Sequence, residues 1–240
     1  MTKPNTVAIL VGATGPYANY LPTFINSAEK YLFPDAKKRY IVFTDLKSHD
    51  FGENVLFVPT EHKQWPWFVL RRYELMLEQE RLWADCDYCV ILNVNVEFKR
   101  PIPGEQLLPT AEHDISCLSF DWHRSSEFPV ERRPEYHCYI PKSVKLPAYW
   151  QNGFCIATST VMKTLCAEIA PAVKEDREKG LIAVWHDESY LNHWLVGKKI
   201  KTISKDYCMP EGYANWKKIK NSYAILQNKR HEEFGKYKQE

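Results

Sequence analysis

The apolar run Cys89-Val90-Ile91-Leu92, entered from Tyr88, breaks off at Asn93-Val94-Asn95 and resumes as Val96-Glu97-Phe98. An unbroken stretch of this kind reads as a strand buried on both faces, so it must sit in a sheet covered on each side. Sheets of that type bind ligands in the crevice beyond the carboxyl ends of their strands, and a period of two puts Asn93 and Asn95 on one side of that end. The pair of amides is therefore a candidate ligand-facing element. Two asparagines that merely make a turn are an equal reading of the same residues.

The flanking segments repeat the pattern. Residues 6–11 form a β-branched and aliphatic strand that runs into Gly12-Ala13-Thr14-Gly15-Pro16-Tyr17, and a helix follows over about residues 19–31. Two glycines after a first strand allow backbone to approach a ligand, and a helix N-terminus adds its dipole. The loop lacks the Lys-Ser/Thr ending of a phosphate-binding P-loop and the full dinucleotide fingerprint, so an ordinary strand-to-helix turn stays open. Further strands are predicted over residues 39–44 and 54–58, which starts a mostly parallel α/β sheet. Trp65-Pro66-Trp67 then introduces a helix to about Trp83, with Leu70, Tyr73 and Leu77 on one face and Glu74, Glu78 and Arg81 on another. Arg71 and Arg72 stand near its start, as surface arginines or as anion ligands beside the crevice.

Downstream, residues 114–120 return as a strand, and a proline-punctuated excursion over residues 121–147 has a length usual for functional loops. Residues 149–160 are strand-like but contain Gly153, a signal that a ligand or another backbone comes close. A helix over about residues 160–179 carries Val161, Leu165, Ile169 and Val173 at a spacing of four and ends at Gly180. Trp185-His186-Asp187-Glu188-Ser189 then opens a helix whose apolar stripe is Leu191, Trp194 and Leu195. Acids in a first turn often only cap it. An aromatic platform beside two carboxylates is also what a sugar-handling site needs. Residues 201–204 make the last predicted strand.

Composition excludes several classes. A net charge of +2 on 240 residues gives no bulk attraction to nucleic acid, and the length suits one large α/β domain. Seven cysteines, an odd number scattered through predicted strands and helices, point to a reducing compartment; Cys86-Asp87-Tyr88-Cys89 stands without the second pair a zinc site would want. No leader-like segment or run of about 18 apolar residues occurs, which predicts a cytoplasmic protein. The end of the chain is basic: between Lys217 and Glu240 there are seven Lys and Arg against three Glu. Such a tail is ordinarily solvated, but it could also close over an anion or touch a membrane surface carrying a glycolipid.

Several of these segments, in order, resemble glycosyltransferase family six, the group of the histo-blood-group A and B transferases and the α-1,3-galactosyltransferases. The resemblance is carried by Phe24-Ile25-Asn26-Ser27-Ala28-Glu29-Lys30-Tyr31, Tyr40-Ile41-Val42-Phe43-Thr44-Asp45, Arg71-Arg72, Asn93-Val94-Asn95-Val96-Glu97-Phe98, Glu131-Arg132-Arg133-Pro134 with Tyr139-Ile140-Pro141, and Trp185-His186-Asp187-Glu188-Ser189 with Leu191-Asn192. It implies a GT-A fold: a single Rossmann-like nucleotide-binding sheet with helices on both faces. A UDP-binding half would occupy about residues 1–98, an acceptor and catalytic half about 99–216, and a basic tail closing over the diphosphate about 217–240. The implied reaction is a retaining α-1,3 transfer of N-acetylgalactosamine or galactose from its UDP sugar to a galactose-terminated oligosaccharide.

Carried over position by position, Ala13, Thr14 and Tyr17 fall at the uridine, Arg72 at the donor sugar and diphosphate, and Asn93, Val94 and Asn95 at the family's D-x-D motif. Gln151, Asn152 and Gly153 fall in the segment that decides the donor sugar, Trp185, His186 and Asp187 at the acceptor, and Glu188 at the reaction centre, as nucleophile or as electrostatic stabiliser. Two departures matter. Two neutral amides replace the aspartates that hold manganese in vertebrate members, and a hard divalent cation wants anionic oxygen ligands, so catalysis without a metal cofactor is expected. Lys229, with Arg230 or Lys236, would then stabilise the leaving UDP. Gly153 leaves room for an N-acetyl group, which favours UDP-N-acetylgalactosamine over UDP-galactose. The chain also begins at the catalytic region, as in a bacterial cytoplasmic enzyme. A non-catalytic binder of sugar nucleotide or glycan is the alternative of another class.

Overall fold

The structure, a computed structural model, describes residues 6–48, 50–119, 128–212 and 222–229. Four strands, β1 (Thr6–Gly12), β2 (Lys37–Thr44), β3 (Val55–Pro59) and β4 (Tyr88–Asn93), lie parallel in the order β3-β2-β1-β4. Alternate residues of each feed opposite faces: Val7, Ile9 and Val11 pack with Phe24, Ile25 and Ala28 of α1 (Leu21–Tyr31), while Ala8 and Leu10 pack with Leu70, Tyr73 and Met76 of α2 (Trp67–Glu78). That two-sided burial is why these strands read as continuous apolar runs.

After β4 the chain passes through β5 (Val96–Phe98) and the one-turn α3 (Gly104–Leu107), then re-enters the sheet as β6 (Ile115–Ser119). β7 (Trp150–Thr158) inserts between β4 and β6, antiparallel to both. The mostly parallel sheet foreseen from the first strands thus becomes mixed, because periodicity records which faces are buried and not strand direction. α4 (Ser159–Glu178) and α5 (His186–Trp194) cover the α2 side, and β8 (Ile200–Ile203) completes seven strands in the order β3-β2-β1-β4-β7-β6-β8. Thr158 caps α4 by accepting from the Val161 N–H, and Gly180, at φ +73°, follows it in the left-handed conformation.

Other boundaries differ from expectation. The first helix begins as a 3-10 turn over Gly15–Tyr20, with Pro16 in its first turn. α2 stops at Glu78 instead of Trp83; a 3-10 turn over Glu80–Leu82 lets Trp83 bury its ring and donate its indole N–H to Met76 O. On α4 the buried stripe includes Met162 and Cys166 beside Leu165, Ile169 and Val173, while Val161 is only partly covered. The strand over 200–203 is not the last: β9 (Met209–Pro210) and β10 (Ala224–Leu226) join β5 in a small second sheet, being too short to show a period. Residue 120 at the end of the predicted strand, residues 121–127 of the excursion, the predicted phosphate ligands Arg230 and Lys236, and most of the basic tail lie outside the described residues. Among the described residues no helix is long and apolar enough to cross a membrane.

Candidate active site

β1 connects to β2 on one side, while β4, its neighbour on the other, comes later in the chain, so the sheet order reverses between β1 and β4. Their carboxyl ends are level, with Gly12 paired to Asn93. A crevice at this switch point is a natural ligand site. A cleft of about 280 Å³ opens there, running from Thr14 and Tyr17 past Arg72, Asn93 and Asn95 to Gly153, Asp187 and Glu188, with Lys229 on its wall.

The inner wall is a buried polar network. Arg72 and Asp187 are 7% and 5% exposed and form an ion pair at 3.1 Å. Asn152 ties them together: its amide donates to Asp187 Oδ2 at 2.6 Å, its main-chain oxygen accepts from Arg72, and its side-chain oxygen accepts from the Tyr73 hydroxyl. Asp187, assigned to the acceptor by the resemblance, is thus turned inward as the counter-ion of Arg72. His186 makes that turn possible, since its φ of +51° starts α5 from the left-handed region and aims Asp187 back at the sheet. Burial pushes the Asp187 carboxyl up, against the pull of Arg72.

Glu188 holds its carboxylate by both oxygens. Oε1 accepts from the Tyr149 hydroxyl at 2.7 Å and Oε2 from the Asn152 N–H at 3.1 Å. The second bond exists because the β6–β7 register shifts between Cys117 and Leu118, where Cys117 pairs with Cys155 but Leu118 with Gln151. Residues 152–154 therefore bulge out of that ladder, and the Asn152 N–H turns to Glu188. A bulge beside an active site commonly re-aims a group in this way. Desolvation raises the Glu188 pKa to about 7, with the Tyr149 hydrogen bond opposing the rise. Burial and the Glu188 charge keep the Tyr149 phenol protonated.

The glycines act differently from expectation. A Cβ on Gly12 would lie 2.1 Å from the Phe68 ring, and one on Gly15, at φ +54°, 2.4 Å from His62. What approaches this loop closely is the segment leading into α2 together with the first turn of that helix: His62 and Gln64 from the one and Phe68 from the other form a cleft wall that no sequence signal marked. A Cβ on Gly153 would lie 2.3 Å from Asn93 Nδ2, so the space beside Gly153 is filled by the Asn93 amide, which also faces Arg72 at 3.5 Å.

The other assigned residues separate. Thr14 and Tyr17 line the cleft, whereas Ala13 is fully buried, its backbone bonded to Phe43 and Thr44. Gln151 lines the cleft, whereas Trp185, 41% exposed, and His186 are not among its lining residues; His186 packs on Trp65, which is, with ring centroids 4.4 Å apart. Lys229 places Nζ 5.2 Å from the Tyr17 ring centroid. Sequence reasoning missed Tyr149 and Tyr73, which touch Glu188 and Asn152 only through tertiary contact.

A family-specific metal is tested by the same geometry. Asn93 offers one neutral oxygen already directed at Arg72, and Asn95 directs its amide nitrogen to Gln227 O at 2.7 Å. Among the described residues no group of three or more His, Cys, Asp or Glu side chains is placed to hold a metal ion. This donor set does not fit a hard divalent cation.

A mixed sheet flanked by helices, with a cleft at its switch point walled by an arginine, a lysine and a held carboxylate, defines the GT-A class of fold. The family model for glycosyltransferase family 6 matches residues 1–235, and the chain belongs to that family. Among its relatives, the rat histo-blood group ABO system transferase 1 is 28% identical over 89% of this chain and 64% of its own length. The O-antigen biosynthesis glycosyltransferase WbnI of Escherichia coli is 29% identical over 86% of this chain and 89% of its own. Human globoside alpha-1,3-N-acetylgalactosaminyltransferase 1 is 27% identical over 84% and 60%. The chain thus spans somewhat under two thirds of the first and the last of these.

Proposed function

We propose that the protein is a retaining α-1,3-hexosyltransferase that moves N-acetylgalactosamine from its UDP sugar to a galactose-terminated glycan without a metal cofactor. The observation that carries this is Glu188: a partly buried carboxylate gripped by Tyr149 and Asn152, on the wall of a cleft whose other end offers Thr14, Tyr17 and Lys229. A carboxylate fixed beside the anomeric carbon can displace UDP and then be displaced by the acceptor hydroxyl, or it can stabilise an oxocarbenium-like centre while the acceptor attacks on the face that UDP leaves; either course retains configuration. Arg72 and Lys229 supply positive charge for the departing diphosphate, whose own oxygen can take the acceptor proton. Trp65, 40% exposed and part of the cleft lining, gives an apolar face against which an acceptor sugar can stack. The α-1,3 linkage is supported by the names of the globoside relative and of human alpha-1,3-galactosyltransferase 2, 26% identical to this chain.

UDP-galactose is the second reading, favoured by the Asn93 amide that occupies the space at Gly153. The test is UDP release from each donor with fucosylated and plain galactose-terminated acceptors in excess EDTA. Acceptor-stimulated release from UDP-N-acetylgalactosamine is the expected result. Release only with UDP-galactose reverses the donor, and release only after manganese is restored refutes metal independence. Donor binding without any transfer to a panel of galactosides, with or without metal, leaves a sugar-nucleotide binder.

A further inference from the structure

We propose that Asn95 is the anchor that holds the Lys229 segment against the cleft, and that it must be an amide because its partner is a carbonyl oxygen. The inference rests on the cleft being the nucleotide-sugar site. Asn95 is only 4% exposed, and it exchanges two hydrogen bonds with Gln227: its Nδ2 donates to Gln227 O at 2.7 Å, and its own main-chain oxygen accepts from the Gln227 N–H at 2.8 Å. The β5–β10 ladder pairs Ala224, Ile225 and Leu226 with Phe98, Glu97 and Val96 and then ends. Asn95 adds the next rung with a side chain, two residues before Lys229. Neighbouring bonds complete the seat: Gln227 Nε2 donates to Glu97, the Asn228 N–H to Glu211, and Tyr20 OH to Asn228 O.

The two asparagines of Asn93-Val94-Asn95 therefore do different work. Asn93 packs on Gly153 and faces Arg72, on the inner wall. Asn95 faces away from it, toward the last described strand. A carboxylate at position 95 would set oxygen against oxygen at a spacing of 2.7 Å, with no proton between them. Position 95 is thus committed to fixing a cation carried by the chain, Lys229, and not to ligating a free one.

The test combines amide exchange with a double-mutant cycle read by calorimetric binding of UDP in EDTA. Asn95→Asp and Asn95→Ala are each expected to speed exchange at Gln227 and Asn228 by about tenfold or more while the β1–β4 amides stay protected. Each should weaken UDP binding by about tenfold, and by less than about twofold when Lys229→Ala is already present. Unchanged exchange at 227–228, multiplicative losses in the double variant, or recovery of Asn95→Asp by manganese would each overturn the anchor. Loosening that spreads through the central sheet would do so as well, by assigning Asn95 to the fold at large. If the unaltered protein fails to bind UDP, the donor assignment falls, and the exchange arm alone decides the anchor.

Discussion

The two walls of the cleft are built on different physics. The inner wall, Arg72, Asn152, Asp187 and Glu188, hangs on β7 of the central sheet and on α2 and α5, and is held by charge-assisted hydrogen bonds out of water. The outer wall, Tyr17, Asn95 and Lys229, is held by the ends of short strands, by neutral amides such as the Asn95–Gln227 pair, and by one ring contact. Buried charge networks cost several kcal/mol when one member is removed, whereas short edge elements open locally at little cost. On the proposed reaction, such a division would keep Glu188 fixed and let the Lys229 side yield for donor entry and UDP release.

The largest effect that sharpens this contrast is expected at Glu188. Glu188→Gln should lower transfer by at least about 10³-fold, some 4 kcal/mol of barrier, while UDP binds within about threefold of the unaltered protein. Near-normal turnover in a single-turnover assay would remove Glu188 from the chemistry. The same variant tests the burial. The folded carboxyl titrates near 7 against an ordinary 4.5, so ionisation opposes folding; that cost is absent below the ordinary value and complete above the folded one. Glu188→Gln should therefore melt higher than the unaltered chain at pH 8 and lose that advantage as the pH falls toward 4.5.

Next in size is the stability difference between the walls. Arg72→Ala strands the Asp187 carboxylate and should cost about 3–5 kcal/mol of unfolding free energy. Lys229→Ala should change it by less than about 0.5 kcal/mol, yet weaken UDP binding. Equal losses by denaturant titration would erase the distinction. Gly153→Ala drives a methyl into the Asn93 amide and should cost about 1–3 kcal/mol, much of it recovered in the Gly153→Ala, Asn93→Ala double variant.

The smallest effect is in the pH profile. Glu188 must be ionised in either retaining role, so kcat/KM should rise with pH through a limb near 7. Tyr149→Phe removes a hydrogen bond that favours the ionised form and should move that limb upward; a limb that stays put would deny Tyr149 its hold on Glu188.

Much of the α/β framework was legible because burial on two faces writes itself directly into the chain. Val7 to Val11 and Cys89 to Leu92 are apolar without interruption since each alternate residue meets a different helix layer. The candidate site was legible where it coincides with compact local motifs: Asp187 with Glu188, Arg72, and the two asparagines. It was illegible wherever one residue's role depends on a partner far along the chain. Glu188 meets Tyr149, 39 residues away, and Asn95 meets Gln227, 132 residues away; neither pairing leaves a spacing that a periodicity could reveal.

The sequence by itself determined the parallel half of the sheet, the family motifs and the pair of amides at Asn93 and Asn95, because these follow from local composition and order. Only the tertiary structure decided that β7 runs antiparallel, that Asp187 turns inward to Arg72, that Gly153 makes room for Asn93, and that Asn93 and Asn95 face different walls. Strand direction, ion pairing and the aim of an amide are settled by which distant surfaces come to share a boundary without water. That is a property of the packed chain and not of any window within it.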